Sequence, residues 1–271
     1  MLKIWMNTKT LDGLINDLSI TDSKEEADIA LLGSKPIDLV DFPNLKGVFR
    51  AGVSRDNVPV KEAKKKGIKV AFPSSATVEY IFEETADFAC YLILKMVYNN
   101  IGTISPWVKN GRVALQDKKL LVIGTGNIGK KVVTKMSSFM HVMTYDIISN
   151  TQDQLKQYLQ EADVVSLHIP SNPENSGFLG SEYLSLIKDG GILVNTGRGA
   201  LVSEKALYNE LLNKRLFVAF DVYWQEPYEG KLKEFHPDYF FMTPHVASTC
   251  DGFLKGSAND LRNLIKEIEN D

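Results

Sequence analysis

One continuous stretch constrains this chain more than any other. The apolar run Leu120-Leu121-Val122-Ile123 leads without a break into Gly124-Thr125-Gly126-Asn127-Ile128-Gly129, and then into the helical pattern Lys130-Lys131-Val132-Val133. A buried strand, a GxGxxG turn and a helix open a dinucleotide-binding βαβ unit. Gly124 permits the tight turn, Gly126 lets the backbone approach a pyrophosphate, and Gly129 lets the helix pack close to the strand. The N–H groups and positive dipole end of the helix, entered through Thr125, Asn127 and Ile128, suit the phosphates. The next strand, Val142-Met143-Thr144-Tyr145, ends in Asp146, roughly where the fingerprint expects an acid about 20 residues on. A carboxylate there accepts hydrogen bonds from the adenosine ribose hydroxyls and repels a 2′-phosphate, which selects NAD over NADP. The alternative is that Asp146 only opens a surface loop. Methyltransferases also follow a glycine-rich turn with an acid, so the motif alone does not specify hydride chemistry.

Around this motif, short apolar runs alternate with amphipathic stretches, the rhythm of parallel sheets built from βαβ units. In the first third the expected strands are 2–6, 28–32, 47–49 and 69–72, with a helix at 59–66 ended by Gly67. A long helix is expected over about 77–99. Residues 100–117 show little periodicity and contain Gly102, Pro106 and Gly111, so they read as a hinge and linker. Strands follow at 120–123, 142–145, 164–167, 192–195, 217–220 and 240–242, with helices between them. A final helix at 251–269 folds back onto the first domain in this reading. The division expected is a first domain at 1–92, completed by 252–271, and a dinucleotide-binding domain at 93–251.

The 271 residues are 44% hydrophobic and 24% charged, ample for two globular domains. A net charge of −3 gives no nucleic-acid footprint and no attraction to an anionic membrane. The start of the chain has no sustained apolar region of the kind a signal peptide needs, and the run 88–94 is too short to span a bilayer. Two cysteines make no disulfide scaffold and fit a reducing compartment, so a cytoplasmic location is expected. No metal is expected.

Hydride transfer to a 2-oxo acid needs a cation to hold the carboxylate and polarise the carbonyl. It also needs a proton donor, and a group that keeps that donor charged. Arg198 stands between Gly197 and Gly199 after an apolar strand, and its fork can hold two oxygens at once. The flanking glycines open space for something to approach; otherwise it is a solvated loop arginine. Of the four histidines, His141 opens a strand, His236 lies in a polar loop, and His168 ends a strand, all readable as structural. His245, in Thr243-Pro244-His245, also ends a strand, where a lone histidine is ordinarily structural. Glu226 precedes Pro227. Paired with His245 it would favour the imidazolium, but spacing does not show that they touch, and an exposed loop acid is the ordinary fate of glutamate.

At these residues the sequence resembles the D-2-hydroxyacid dehydrogenase family. The ordered set is Gly124-Thr125-Gly126-Asn127-Ile128-Gly129, His168-Ile169-Pro170, Asn195-Thr196-Gly197-Arg198-Gly199, Asp221-Val222 with Glu226-Pro227, and Thr243-Pro244-His245. The resemblance implies an α/β fold of two Rossmann-like doubly wound parallel-sheet domains with an interdomain cleft, commonly as a homodimer. It implies that Arg198, Glu226 and His245 form a catalytic triad, that Thr196 and Asp221 lie near the nicotinamide, and that His168 and Pro170 belong with the cofactor. Arg50-Ala51-Gly52-Val53, with Asp56-Asn57, resembles the family's substrate loop, where backbone N–H groups around the glycine hold the substrate carboxylate. The chain departs from the family pattern at Phe72-Pro73-Ser74-Ser75, at Ile81-Phe82-Glu83-Glu84-Thr85, and in the shorter arm at 100–117, on which the family dimer depends.

The function expected is hydride transfer between NAD(H) and a small D-2-hydroxy acid or 2-oxo acid, with glycerate/hydroxypyruvate or glyoxylate favoured. Arg50 and the run Lys64-Lys65-Lys66 could serve a second anionic group, although basic runs on helices are usually solvated. Two other classes stand beside this one. One is an NAD-sensing binding module without turnover, as in the corepressors of the family. The other is a nucleotide-binding enzyme such as a methyltransferase, in which the arginine, glutamate and histidine would have no role.

Overall fold

The computed structural model describes residues 2–55 and 57–271; Met1 and Asp56, the latter part of the expected substrate loop, lie outside the described residues. In chain order the strands and helices begin with β1 (Lys3–Met6), β2 (Ser19–Ile20), β3 (Ile29–Leu32), β4 (Gly47–Arg50), α1 (Val60–Lys65), β5 (Lys69–Ala71) and α2 (Ser75–Val97). A small pair follows, β6 (Gly102–Thr103) and β7 (Val108–Lys109). Then come β8 (Lys119–Ile123), α3 (Asn127–Met136), β9 (His141–Tyr145), α4 (Gln152–Glu161) and β10 (Val164–Leu167). The chain ends with α5 (Ser181–Leu186), β11 (Ile192–Asn195), α6 (Glu204–Leu212), β12 (Phe217–Phe220), β13 (Phe240–Met242) and α7 (Asp251–Glu269).

The chain divides into two compact units, residues 1–82 with 248–271, and residues 83–247. Both boundaries differ from the 92 and 252 expected from sequence, because the first division falls inside the continuous helix α2. Its later residues Ala86, Ala89, Leu92, Ile93 and Met96 are buried against Leu120, Val122 and Val164 of the second unit's sheet.

In the first unit five parallel strands run in the order β2-β1-β3-β4-β5. Alternate residues of each strand enter opposite cores, as the pleat requires. Ile29, Leu31 and Phe49 meet Ala258, Leu261 and Leu264 of α7, whereas Ala30, Leu32 and Val48 meet Ala63 of α1, Leu39 and Phe42.

In the second unit six parallel strands run in the order β13-β12-β11-β10-β8-β9. Leu120 and Val122 face α2 and α3, while Leu121 and Ile123 face α4, α5 and α6. Each such side chain contributes about 1.5–3 kcal/mol on burial. Helix starts are marked in the sequence. Thr151 and Gln154 form a reciprocal capping box at α4, and Ser203 caps α6. Strand β8 lies between β9 and β10, so the chain leaves it to one side and returns on the other. That reversal makes the carboxyl ends of β8 and β10 the switch point where open α/β sheets take ligands.

The stretch 100–117, expected to be a hinge and linker, contains the antiparallel pair β6–β7. Among the described residues no helix is long and apolar enough to cross a membrane.

Candidate active site

Loops at the carboxyl ends of the second-unit strands build the site. The first follows β8. Gly124 adopts φ 94°, a conformation open to glycine, and a Cβ there would lie 2.6 Å from His168 O. A Cβ at Gly129 would lie 1.9 Å from Gly124 O, so this glycine is what lets α3 close onto the turn. At Gly126, by contrast, a Cβ meets nothing within 4 Å. The turn is therefore tight at its two ends and open in its middle, directly over the start of α3, where Asn127 and Ile128 present first-turn N–H groups.

Asp146, at the end of β9, is tied into this turn. Its Oδ2 accepts the Thr125 N–H at 3.1 Å and the Thr125 hydroxyl at 2.8 Å, and its Oδ1 accepts the Ile148 N–H at 3.1 Å. The Thr125 N–H above all holds the carboxyl below its ordinary range, so the group is ionised at neutral pH. His168 closes the other side of the switch point. Its Nε2 is hydrogen-bonded to Ser166 Oγ at 2.8 Å, and burial pushes its pKa down to about 4, so it stays neutral. Pro170 is exposed, and its carbonyl accepts from Asn175 Nδ2 at 2.9 Å.

The second loop follows β11. Asn195, fully buried, accepts the Gly197 N–H at 2.9 Å and donates to Arg198 O at 2.8 Å, which folds the loop around one amide. Gly199, beside Arg198, does not open space as expected. A Cβ at Gly199 would lie 2.2 Å from the Tyr223 carbonyl carbon, so its work is to let two loops touch. Arg198 Nη1 donates to Gly197 O at 2.8 Å. Thr196 is 7% exposed, and its hydroxyl is buried with no hydrogen-bond partner among the described residues. An orphaned hydroxyl costs stability unless a ligand completes it.

The third loop follows β13 and carries His245 at φ 54°, a left-handed conformation uncommon for a non-glycine residue. Asp221, fully buried at the end of β12, holds this loop. Its Oδ1 accepts the Thr243 hydroxyl at 2.6 Å and the Val246 N–H at 2.9 Å, and its Oδ2 accepts the Ala247 N–H at 2.8 Å. Burial raises the Asp221 carboxyl, and these donors oppose that rise. The loop presents His245 Nδ1 at 2.7 Å from Glu226 Oε2, while Glu226 Oε1 accepts the Tyr223 N–H at 3.2 Å. Both side chains are about seven-tenths covered. Burial raises the Glu226 carboxyl, but the His245 hydrogen bond and the charges of His245 and Arg198 outweigh it and leave it below its ordinary value. An ionised carboxylate can only accept, so Nδ1 carries the proton and Nε2 is the nitrogen left for a substrate.

The structure thus brings His245 into hydrogen-bond contact with Glu226, and Arg198 into electrostatic reach of that carboxylate. The roles of Asn195 and Tyr223 were not separable in sequence, where the one is a motif letter and the other an aromatic among many. The donor set fits a dinucleotide: an open glycine over a helix start, an ionised carboxylate at the next strand, and a buried hydroxyl awaiting a partner.

In the first unit, Arg50 is 6% exposed. Its Nε donates to Asn57 Oδ1 at 3.2 Å and its Nη1 to Ala51 O, so the guanidinium braces its own loop and does not face outward for a second anion. Gly52 has φ 145°, and its N–H turns back to Arg50 O at 2.9 Å, while Ala51 donates to Leu32 O at 2.9 Å. Two of the N–H groups expected to face a carboxylate are therefore engaged within the loop. Val53 is exposed.

Comparison with known proteins gives a consistent set. The model described as D-isomer specific 2-hydroxyacid dehydrogenase, NAD binding domain, matches residues 97–247. A hydroxypyruvate reductase of Thermotoga maritima is 32% identical over 244 residues, 83% of this chain and 78% of the relative. A glyoxylate reductase of Korarchaeum cryptofilum is 32% identical over 249 residues, 82% of this chain and 73% of the relative. Among solved structures, the D-lactate dehydrogenase of Aquifex aeolicus, complexed with NAD and lactic acid, superposes with a TM-score of 0.77 at 24% identity, over 99% of this chain and 95% of that one.

Proposed function

The chain belongs to the D-isomer specific 2-hydroxyacid dehydrogenase family and is an NAD-dependent oxidoreductase of 2-hydroxy acids, and on that premise we propose that Arg198, Glu226 and His245 carry its chemistry. The observation that supports this most is the 2.7 Å pairing of His245 Nδ1 with Glu226 Oε2, with Arg198 near enough to lower the same carboxyl. Bound NADH supplies the hydride. Arg198 orients the 2-oxo acid by gripping two of its oxygens and polarises the carbonyl. His245 Nε2 gives its proton to the carbonyl oxygen as negative charge develops there, and Glu226 stabilises the imidazolium before transfer. In the oxidising direction the same nitrogen takes the proton back.

In this reading the turn from Gly124 to Gly129 holds the pyrophosphate and Asp146 meets the adenosine ribose. Thr196 Oγ1 completes its hydrogen bonding at the nicotinamide end, with Asp221, His168 and Pro170 around it. The first unit is the substrate-binding (lid) domain. Its Arg50–Val53 loop binds the substrate carboxylate, with Arg50 as a brace and Val53 presenting backbone to the ligand. Glycerate/hydroxypyruvate or glyoxylate is the substrate favoured, as in the named activities of the two relatives. We place the chain in the cytoplasm, which its two free cysteines suit. We also read it as a homodimer, because Ile101, Ile104, Trp107 and Val113 expose 57%, 76%, 73% and 56% of their surface along the β6–β7 arm.

The test is an NADH-oxidation screen over glyoxylate, hydroxypyruvate, pyruvate, 2-oxoglutarate and phosphohydroxypyruvate. Highest kcat/KM on glyoxylate or hydroxypyruvate is expected. A higher value on another acid replaces the substrate assignment. NADH binding without turnover on any of the five replaces the catalytic reading with a binding module.

A further inference from the structure

We infer that Tyr223 is a positioning residue that holds both members of the Glu226–His245 pair, an assignment that rests on the catalytic reading of that pair. Tyr223 acts at two points. Its backbone N–H donates to Glu226 Oε1 at 3.2 Å. Its hydroxyl, with one proton to give, lies 2.8 Å from Thr243 O and 2.9 Å from Phe220 O. Thr243 O also accepts the His245 N–H at 3.0 Å, so this carbonyl is the pivot of the turn that carries the imidazole.

The turn needs holding. His245 sits at φ 54°, and a non-glycine residue stays there only where its surroundings over-determine it. Asp221 grips the turn through Thr243, Val246 and Ala247. Tyr223 ties it to the end of β12 and, through its own main chain, to Glu226. The ring that delivers the hydroxyl is itself fixed, stacked on Tyr228 at 5.3 Å between centroids and edge-on to Phe240 at 6.4 Å. Burial pushes the phenol well above its usual range, so it remains a neutral donor at working pH.

A phenylalanine would fill the same space. Nor does the hydroxyl serve to satisfy otherwise empty carbonyls: Phe220 O already accepts the Thr243 N–H at 3.1 Å, and Thr243 O accepts from His245. What the hydroxyl adds is a cross-link between the strand end and the histidine turn.

Tyr223→Phe tests this, with Tyr228→Phe as the control. The Tyr228 hydroxyl donates to Glu204 Oε1 at 2.6 Å and accepts the Leu232 N–H, away from the turn. Two readouts are needed: steady-state kinetics with NADH and the preferred 2-oxo acid, and the proton NMR signal of the His245 Nδ1–H in substrate-free protein, assigned by its loss in His245→Gln. Tyr223→Phe is expected to lower kcat about 5- to 30-fold, in the range that small misplacements of a catalytic group produce. The KM for NADH should stay within about twofold, and the imidazole proton signal should shift or broaden by exchange, since only the hydrogen-bond geometry has changed. Tyr228→Phe should move neither readout. An unchanged kcat and proton signal in Tyr223→Phe, or equal changes in both variants, would overturn the assignment. If the wild-type chain turns over no 2-oxo acid, the catalytic reading fails by itself, and the proton signal still decides whether Tyr223 holds the pair.

Discussion

His245 Nδ1 and Glu226 Oε2 are 2.7 Å apart, and the hydrogen bond fixes which imidazole nitrogen is left for a substrate. The two substitutions that break it should differ. His245→Ala removes the proton donor and should lower kcat by roughly 10²–10⁴ with little change in NADH affinity. Glu226→Gln keeps the shape but removes the negative charge beside the imidazole, so its loss should be smaller, about 10- to 100-fold. Steady-state kinetics of both variants between pH 5.5 and 9 checks this. Unchanged turnover in His245→Ala on the true substrate would remove the histidine from the mechanism.

Gly126 and Gly129 separate what the ligand needs from what the fold needs. An alanine Cβ at position 129 would lie 1.9 Å from Gly124 O, so Gly129→Ala should destabilise the second unit by about 1–3 kcal/mol or more, as overpacking does. At position 126 the Cβ meets nothing, and φ is −70°. Gly126→Ala should therefore keep its melting temperature within a few degrees yet weaken NADH binding about tenfold, because the added methyl stands where the backbone must approach the pyrophosphate. Thermal unfolding paired with NADH fluorescence titration gives both numbers. Equal effects on stability at the two positions would refute the distinction.

Asp146 is ionised and faces the glycine turn, which it braces through Thr125. Asp146→Asn should weaken NADH binding but weaken NADPH binding less, or improve it, because the repulsion of a 2′-phosphate is gone while an acceptor oxygen remains. The ratio of the two dissociation constants should fall about tenfold, as expected for roughly 1.4 kcal/mol. A ratio equal to that of the wild-type chain would leave Asp146 as a loop brace only.

The second sheet was legible because its central strands are buried on both faces and therefore read as apolar runs, as at 120–123 and 192–194. The same criterion missed β2 and the pair β6–β7, whose strands are two residues long and cannot show a period. The division between the units was not legible because it falls inside α2, which keeps one helical pattern throughout and whose later residues enter the second unit's core. At the site, residue types pointed to Arg198, Glu226 and His245, but contact between them depends on loops whose shape is set by Asn195, Asp221 and Tyr223. Those residues work through hydrogen bonds that only folded geometry reveals. Gly199 shows the opposite failure: the glycine was noticed, but it serves contact between two loops and not access for a ligand.

The exposed residues of the β6–β7 arm give the proposed homodimer a direct check. Trp107 leaves 73% of its surface open, and Ile104 76%. If a second copy covers them, Trp107→Lys should weaken dimerisation by about 2 kcal/mol or more, the loss typical of a buried aromatic anchor. Sedimentation velocity across a concentration series should then show a dimer for the wild-type chain and a dissociating species for the variant. Identical profiles would mean that the arm covers nothing of a second copy.

His168 should govern part of the acid sensitivity of the second unit. Burial holds its folded pKa at about 4, below the ordinary value of 6.5. Between those two values the unfolded chain binds the proton and the folded chain does not, so stability rises with pH across this window. Above pH 6.5 both states are neutral and the full stability is present. As pH falls from 6.5 towards 4 the folded state loses up to about 1.4 kcal/mol per pH unit from this one group. His168→Gln, which can still accept from or donate to Ser166 but does not titrate, should lose less melting temperature between pH 7 and pH 4.5 than the wild-type chain, whatever its stability at neutral pH. Parallel curves for the two proteins over that window would show that the imidazole is hydrated enough to take its proton without unfolding.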